Sequence, residues 1–156
     1  SALEPAQYYT RQHLKFKAGN YTQFEPLNRL VDALPAESNA VRELDNQVKA
    51  LLTDGKDAQA AAAIRNQLTL WQANTAQVKP ILAQNYVLKP VQPVAEQLGK
   101  LSGLGLQWLD KIQKGQSITA EERQQAQAQL DGAAQIQDEL VIAAVYPLER
   151  LLEGVK

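Results

Sequence analysis

Two pairs of adjacent carboxylic acids are the residues of this sequence best suited to chemistry. Glu121 is followed by Glu122, and Asp138 by Glu139, and paired acids are the groups that hydrolyse glycosidic bonds. The first pair, however, follows Thr119 at the spacing of a capping box, in the first turn of a helix, where negative charge is favoured. The second pair falls inside a helical pattern rich in Gln and Ala. We therefore predict a capping turn and a solvated helix face rather than catalytic pairs.

The remaining residue types exclude most other catalytic chemistry. The sequence has no cysteine and one histidine, His13, so disulfides, thiolate nucleophiles and metal sites with several His or Cys ligands cannot form. His13 falls on the apolar face of the first predicted helix, where a packed structural role is expected. No serine has the context of a nucleophile elbow, and no Gly-rich loop follows a strand to hold a phosphate. We expect no catalytic residue, no metal and no cofactor.

Three aromatic residues are candidates for glycan contact: Trp71, Tyr86 and Trp108. An exposed aromatic face suits the apolar side of a pyranose ring. Both tryptophans lie on the apolar stripes of their predicted helices, however, so core packing is the expected role for them. A glycan-binding module is kept as one alternative function.

Composition and charge narrow the class of protein. A chain of 156 residues suits a single domain, and a formal charge of -1 without clustered basic residues gives no footprint for nucleic acid or anionic lipid. No apolar run approaches the roughly 20 residues that cross a bilayer, so no membrane insertion is expected. The chain begins at Ser1 without Met, which suggests as a hypothesis a processed chain or an excised piece.

Apolar residues recur at helical spacing along most of the chain, and no strand pattern competes with them. In the third predicted helix, for example, they form a continuous seam of Ala61, Ile64, Leu68, Trp71, Thr75, Val78 and Leu82. Prolines at positions 80 and 147 predict kinks. The spacing predicts an all-α antiparallel bundle of about five helices, over Pro5–Lys17, a stretch ending near Thr53, Asp57 to about Tyr86, Pro93–Lys114, and Thr119 to about Leu152.

Two residues predict where helices begin and end, and two glycines raise a packing question. Asp57 is a candidate N-cap, and Gly115 is placed to end a helix in the left-handed conformation. Gly99 and Gly103 lie four residues apart. Their spacing allows either close approach of a neighbouring helix or mere tolerance of small residues.

The stretch Asn20–Ser38 differs in composition from the rest, with two aromatics and two prolines, and we predict that it is irregular. Its run FEPLNRLVDALPAES, with the preceding QHLKFKAGNYTQ, resembles the region that follows the catalytic barrel in bacterial family 20 glycoside hydrolases, the β-N-acetylhexosaminidases. The later LTLWQAN, and the proline-rich turn before LGKLSGLGLQWLDKI, are similar to what comes next in such C-terminal extensions.

The resemblance implies a noncatalytic C-terminal helical domain, with residues 1–38 as the entry segment and residues 39–156 as the bundle. The family's catalytic Asp and Glu end a barrel strand, whereas Asp138 and Glu139 have no strand before them, so those roles are not carried over. The implied partners are the catalytic domain of the same polypeptide and a chitooligosaccharide in the parent enzyme, and the implied location is periplasmic or secreted.

Four apolar residues of the entry region are candidates for docking against the missing barrel: Tyr21, Phe24, Leu27 and Leu30. Arg29 and Asp32, three residues apart, could form a local ion pair. A free-standing helical domain that binds a protein partner is kept as a further alternative.

Overall fold

The structure is a computed structural model that describes residues 25–33, 38–53, 57–84, 88–136 and 138–156. Within these residues the regular elements are six α-helices and one short 3-10 helix, with no strand, so the predicted all-α bundle is confirmed. The α-helices are α1 (Glu25–Ala33), α2 (Ser38–Thr53), α3 (Ala58–Gln84), α4 (Gln92–Lys114), α5 (Ala120–Ala134) and α6 (Glu139–Gly154), and the 3-10 helix Lys89–Val91 leads into α4. The predicted first helix, Pro5–Lys17, lies outside the described residues.

Two predicted helix boundaries are confirmed by their hydrogen bonds. The Asp57 side chain accepts from the backbone N–H groups of Gln59 and Ala60, at 3.0 and 3.2 Å, at the start of α3. Gly115 ends α4 with a φ of 65°, and its N–H bonds back to carbonyl groups of the last turn. Both devices satisfy backbone groups that the ends of a helix leave without intrahelical partners.

The prediction of an irregular stretch over Asn20–Ser38 is wrong for its middle part. Residues 25–33 form α1, a helix of nine residues. Glu25 provides an acid in the first turn, and Pro26 lies there too, where its missing N–H costs no hydrogen bond. Leu27 is fully buried. Pro26 therefore lies in the first turn of a helix rather than preventing one.

The prediction of one continuous last helix is also wrong. α5 ends at Ala134 and α6 begins at Glu139, and Asp138 between them has an extended backbone and caps α6 by accepting from Leu140 N–H at 2.9 Å. Ile136, expected on the apolar stripe, is 37% exposed because it lies past the end of α5. Each of the two prolines expected to kink a helix, Pro80 and Pro147, lies inside one.

The bundle is organised around the antiparallel pair α3 and α4, which make the largest contact between described elements. Two contacts show that the helices run in opposite directions. Gly99 of α4 faces Thr75 of α3, and the later α4 residue Asp110 pairs with the earlier α3 residue Arg65 at 2.6 Å. α1 and α2 pack on α3, α5 packs mainly on α6, and α6 also contacts α2 and α4. Side chains from all six helices thus meet in one apolar core.

Glycines let α4 approach its neighbours closely. A Cβ added to Gly99 would lie 3.2 Å from the Thr75 hydroxyl, whereas at Gly103 the nearest atom is 3.4 Å away, an ordinary contact. The tightest place on α4 is Gly105, where a Cβ would lie 2.5 Å from Leu148 of α6 and 3.1 Å from both methyl groups of Leu68 of α3. Gly105 therefore allows α3, α4 and α6 to meet.

A half-buried ion pair connects α2 with α6. Arg150 donates to Asp45 at 2.6 Å, and Lys49 lies 3.3 Å from the other oxygen of the same carboxylate. The contact joins positions 105 residues apart in sequence. Among the helices that the structure describes, none has the length and apolar character needed to cross a membrane.

Candidate functional site

The first acidic pair forms the predicted capping turn. Thr119 accepts from the Glu122 N–H at 3.0 Å, and the Glu122 carboxylate accepts from the Thr119 N–H at 3.3 Å, so the two residues make a complete capping box. The backbone hydrogen bond from Thr119 lowers the pKa of Glu122, and the Thr119 hydroxyl and Lys111 lower it further. An ionised carboxylate that is held in this way stabilises the start of α5.

The second acidic pair is also used in a helix cap, which corrects the expectation of a solvated helix face. Asp138 is 8% exposed and caps α6, while the Glu139 side chain lies outside what the structure describes. In the described part of the chain, no three His, Cys, Asp or Glu residues are grouped so that they could hold a metal ion.

The two tryptophans lie in the core, where sequence reasoning expected them. Trp71 is 0% and Trp108 is 4% exposed, so neither presents an open ring face on which a sugar could stack. Tyr86, the third candidate for glycan contact, lies outside the described residues. A glycan site based on exposed aromatic faces therefore finds no support from these two rings.

The candidate docking residues fall into three groups. Tyr21 and Phe24 lie outside the described residues, and Leu30 belongs to α1 without a described side chain. Leu27 is fully buried in the chain's own core. Its side chain is therefore occupied within the bundle, which corrects its assignment to a surface that meets another domain.

Arg29 connects α1 to α3, while the side chain of Asp32, its predicted local partner, lies outside what the structure describes. Its guanidinium lies 3.2 Å from Glu25 and donates to Gln77 at 3.1 Å. Its carbonyl accepts from Asn74, a mostly buried residue of α3, at 3.4 Å. Together with the burial of Leu27, these bonds fix the short helix to the longest one.

A groove between α4 and α5, here called the α4–α5 groove, has a volume of about 240 Å³. It exists because α5 packs mainly on α6 and touches α4 only sparsely. Its apolar lining is Leu104, Trp108, Ile118 and Ala126, and its polar lining is Gln107, Lys111, Glu122, Gln125 and Gln129.

Trp108, which lines the α4–α5 groove, carries one polar atom, the indole nitrogen. Within the described part of the chain, its indole N–H donates no hydrogen bond to another residue, and every fully buried side-chain nitrogen or oxygen there has a partner. The N–H of this nearly buried ring must therefore reach solvent.

Sequence reasoning placed Trp108 in the core but did not find the groove. The sequence does carry one signal, the run of glutamines from Gln124, which at helical spacing is typical of an exposed helix face. Gln125 and Gln129 are indeed exposed. Which glutamines share a cavity with Trp108 depends on how far α5 stands from α4, and no sequence pattern encodes that distance.

Comparisons of this chain with protein-family models, with curated proteins and with solved structures found no match.

Proposed function

We propose that the chain is a noncatalytic helical accessory domain of a β-N-acetylhexosaminidase, which packs against the enzyme's catalytic barrel and stabilises it. The observation that carries this proposal is the resemblance of Phe24–Ser38 to the region that follows the barrel in family 20 glycoside hydrolases. The periplasmic or secreted location and the chitooligosaccharide substrate of the parent enzyme belong to the same proposal.

The attachment of α1 supports this role. The PLNR letters of the run occupy positions 26 to 29, where Leu27 is buried and Arg29 bonds to Gln77 and Glu25. A chain that arrives from a preceding domain is thus fixed to α3 at once, through a short helix. Such a connection would transmit the position of the barrel to the bundle, because α1 cannot move without breaking these contacts.

The use of the acidic residues also supports a noncatalytic role. Glu122 and Asp138, one member of each acidic pair, accept hydrogen bonds from backbone N–H groups at the starts of α5 and α6. Their oxygens serve helix capping, which leaves the hydrolytic chemistry to the barrel. Contact with the barrel is proposed for Tyr21 and Phe24, since Leu27 is occupied inside the bundle.

The first test is the gene sequence upstream of the codon for Ser1. We expect it to encode a barrel with the Asp-Glu pair of a retaining acetylhexosaminidase. An upstream region that encodes no such barrel would overturn the proposal and favour a free-standing domain that binds a protein partner.

The second test compares the enzyme with and without residues 1–156. We expect the shortened enzyme to hydrolyse a chromogenic N-acetylglucosaminide at an unchanged rate per folded molecule, and to melt at a temperature lower by about 2–4 °C or more. Leu27→Ala in the full-length enzyme should lower the melting temperature of the catalytic domain as well. Unchanged melting in both cases would exclude the stabilising role.

A further inference from the structure

We propose that the α4–α5 groove binds one neutral, polyhydroxylated ring of about the size of a single hexose unit. The site is built differently from an aromatic stacking platform, because Trp108 is only 4% exposed and offers no open ring face. Binding of such a ring needs only residues of this chain and is independent of the proposed function.

The Trp108 indole N–H is the fixed hydrogen-bond donor that the proposal assigns to the groove. The ring is 4% exposed, so the packed core holds the N–H in place, and the N–H has no acceptor among the described residues. An indole nitrogen donates and never accepts. A ligand that accepts this hydrogen bond must therefore offer a hydroxyl, ether or carbonyl oxygen. Because the donor is already held in place, the bond costs it almost no conformational entropy.

Glutamine side chains give the rim its remaining polar groups. Gln107 of α4 and Gln125 and Gln129 of α5 line the groove from opposite sides, and all three are exposed. Each amide carries an acceptor oxygen and a donor NH₂ group. Hydroxyl groups also both donate and accept, so several hydroxyls on one ring match several amides around one opening.

The charges at the groove cancel, which favours an uncharged ligand. Lys111 and Glu122 both line it, and Lys111 is close enough to lower the pKa of Glu122. Glu122 is held in the capping box with Thr119, and Lys111 donates to the Ser117 carbonyl at 3.4 Å. A charged ligand would gain little from a rim where one cation faces one anion.

The volume and the apolar lining set the size of the ligand. About 240 Å³ is below the roughly 300–1,000 Å³ of sites for drug-sized molecules. Leu104, Ile118 and Ala126 offer apolar surface within the groove, which suits the C–H groups of a saturated ring. One hexose unit therefore fits the site better than a larger or a fully apolar molecule.

The two tryptophans allow a direct test by NMR, since Trp71 is fully buried and does not line the groove. We expect glucose, added to the ¹⁵N-labelled protein, to shift the indole N–H resonance of Trp108 along a saturable curve. The midpoint should be on the order of millimolar, and the Trp71 resonance should stay in place. The absence of a saturable Trp108 shift, or an equal shift of both indoles, would overturn the proposal.

Variants test which atoms bind. Trp108→Phe keeps a ring in the core but removes the donor, so we expect the affinity for glucose to fall about threefold to tenfold. The NMR shift of the Leu104 backbone amide measures the affinity in this variant. Gln125→Ala should lower it about twofold to tenfold. Gln124→Ala is the matched control, because Gln124 is exposed on the same helix but does not line the groove. Equal effects of the two glutamine variants would contradict the site.

The charge of the ligand provides the last test. Glucosamine and glucuronate have the same ring as glucose with a positive or a negative group. We expect both to bind no more tightly than glucose. Tighter binding of either charged sugar would overturn the assignment of a neutral ligand.

Discussion

At the scale of single residues, Gly105 limits how closely three helices can pack. An added Cβ would lie 2.5 Å from Leu148 and 3.1 Å from the methyl groups of Leu68. We predict that Gly105→Ala lowers the free energy of unfolding by about 1–3 kcal/mol, because overpacking outweighs the better helix propensity of alanine.

Gly132 of α5 is the matched control for this substitution. No atom lies within 4 Å of a Cβ added there, so Gly132→Ala should raise the free energy of unfolding by about 0.5–1 kcal/mol. Urea unfolding of both variants measures the difference. Two effects of the same sign would show that α4 has more room at Gly105 than the structure gives it.

Glu149 of α6 is a second residue whose surroundings decide how much it contributes to the stability of the fold. Burial raises its pKa, and the negative charges of Asp131 and Glu153 raise it further. The folded protein therefore holds this proton more tightly than the unfolded chain does. Its contribution to stability is greatest in acid and falls as the pH rises from the unfolded pKa through the raised folded pKa.

Glu149→Gln removes the charge that is unfavourable at neutral pH. We predict that the variant is more stable than the parent at neutral pH by roughly a few tenths of a kcal/mol, a small value because the group is largely solvated. The difference should shrink in acid, where the parent is protonated. Urea unfolding at neutral and acidic pH measures this difference, and Glu43→Gln, at an exposed position, is the control. A Glu149→Gln variant that is less stable than the parent at neutral pH would show that the carboxylate is favourably paired.

At the scale of elements, Leu27 decides whether α1 belongs to the bundle. This side chain is 0% exposed, whereas Leu70 on α3 is 51% exposed. We predict that Leu27→Ala lowers the free energy of unfolding by about 2–5 kcal/mol, because it leaves a cavity between α1 and α3. Leu70→Ala should change it by less than about 0.5 kcal/mol. Similar values for the two leucines in urea unfolding would mean that α1 is not held to the core.

The helices that could be predicted from sequence are those whose ends carry side-chain signals. Asp57, Gly115 and Thr119 each mark a boundary with a hydrogen bond or backbone conformation that depends on that residue type. The break between α5 and α6 has no Gly or Pro, and the apolar spacing continues through Ile136, so periodicity favoured one helix. Asp138 ahead of the apolar run from Leu140 was the available signal.

The α4–α5 groove could not be predicted for a different reason. The sequence shows that Trp108 and Gln125 lie on helices that follow one another, but their common cavity depends on α5 packing against α6 rather than α4. This choice of neighbour is a tertiary effect. Amphipathic spacing indicates which face of a helix is buried and does not indicate which helix covers it.

At the scale of the whole molecule, the apolar residues of all six helices form a single core that includes both tryptophans. The variants Trp71→Phe and Trp108→Phe each keep one tryptophan as a fluorescent probe. We predict that, in each variant, fluorescence and far-ultraviolet circular dichroism give the same unfolding midpoint, as two-state unfolding requires. In either variant, a fluorescence midpoint that differs from the dichroism midpoint would show that parts of the bundle unfold separately.

The position of α6 also has a consequence for how the chain folds during synthesis. α6 follows the other five described helices in the chain, yet it contacts α2, α4 and α5, and its Arg150 pairs with Asp45, 105 residues earlier. Until α6 is in place, apolar side chains on the three earlier helices lack their cover. A nascent chain therefore exposes apolar surface on these helices until α6 has been synthesised and has packed, and such surface favours aggregation or binding by a chaperone.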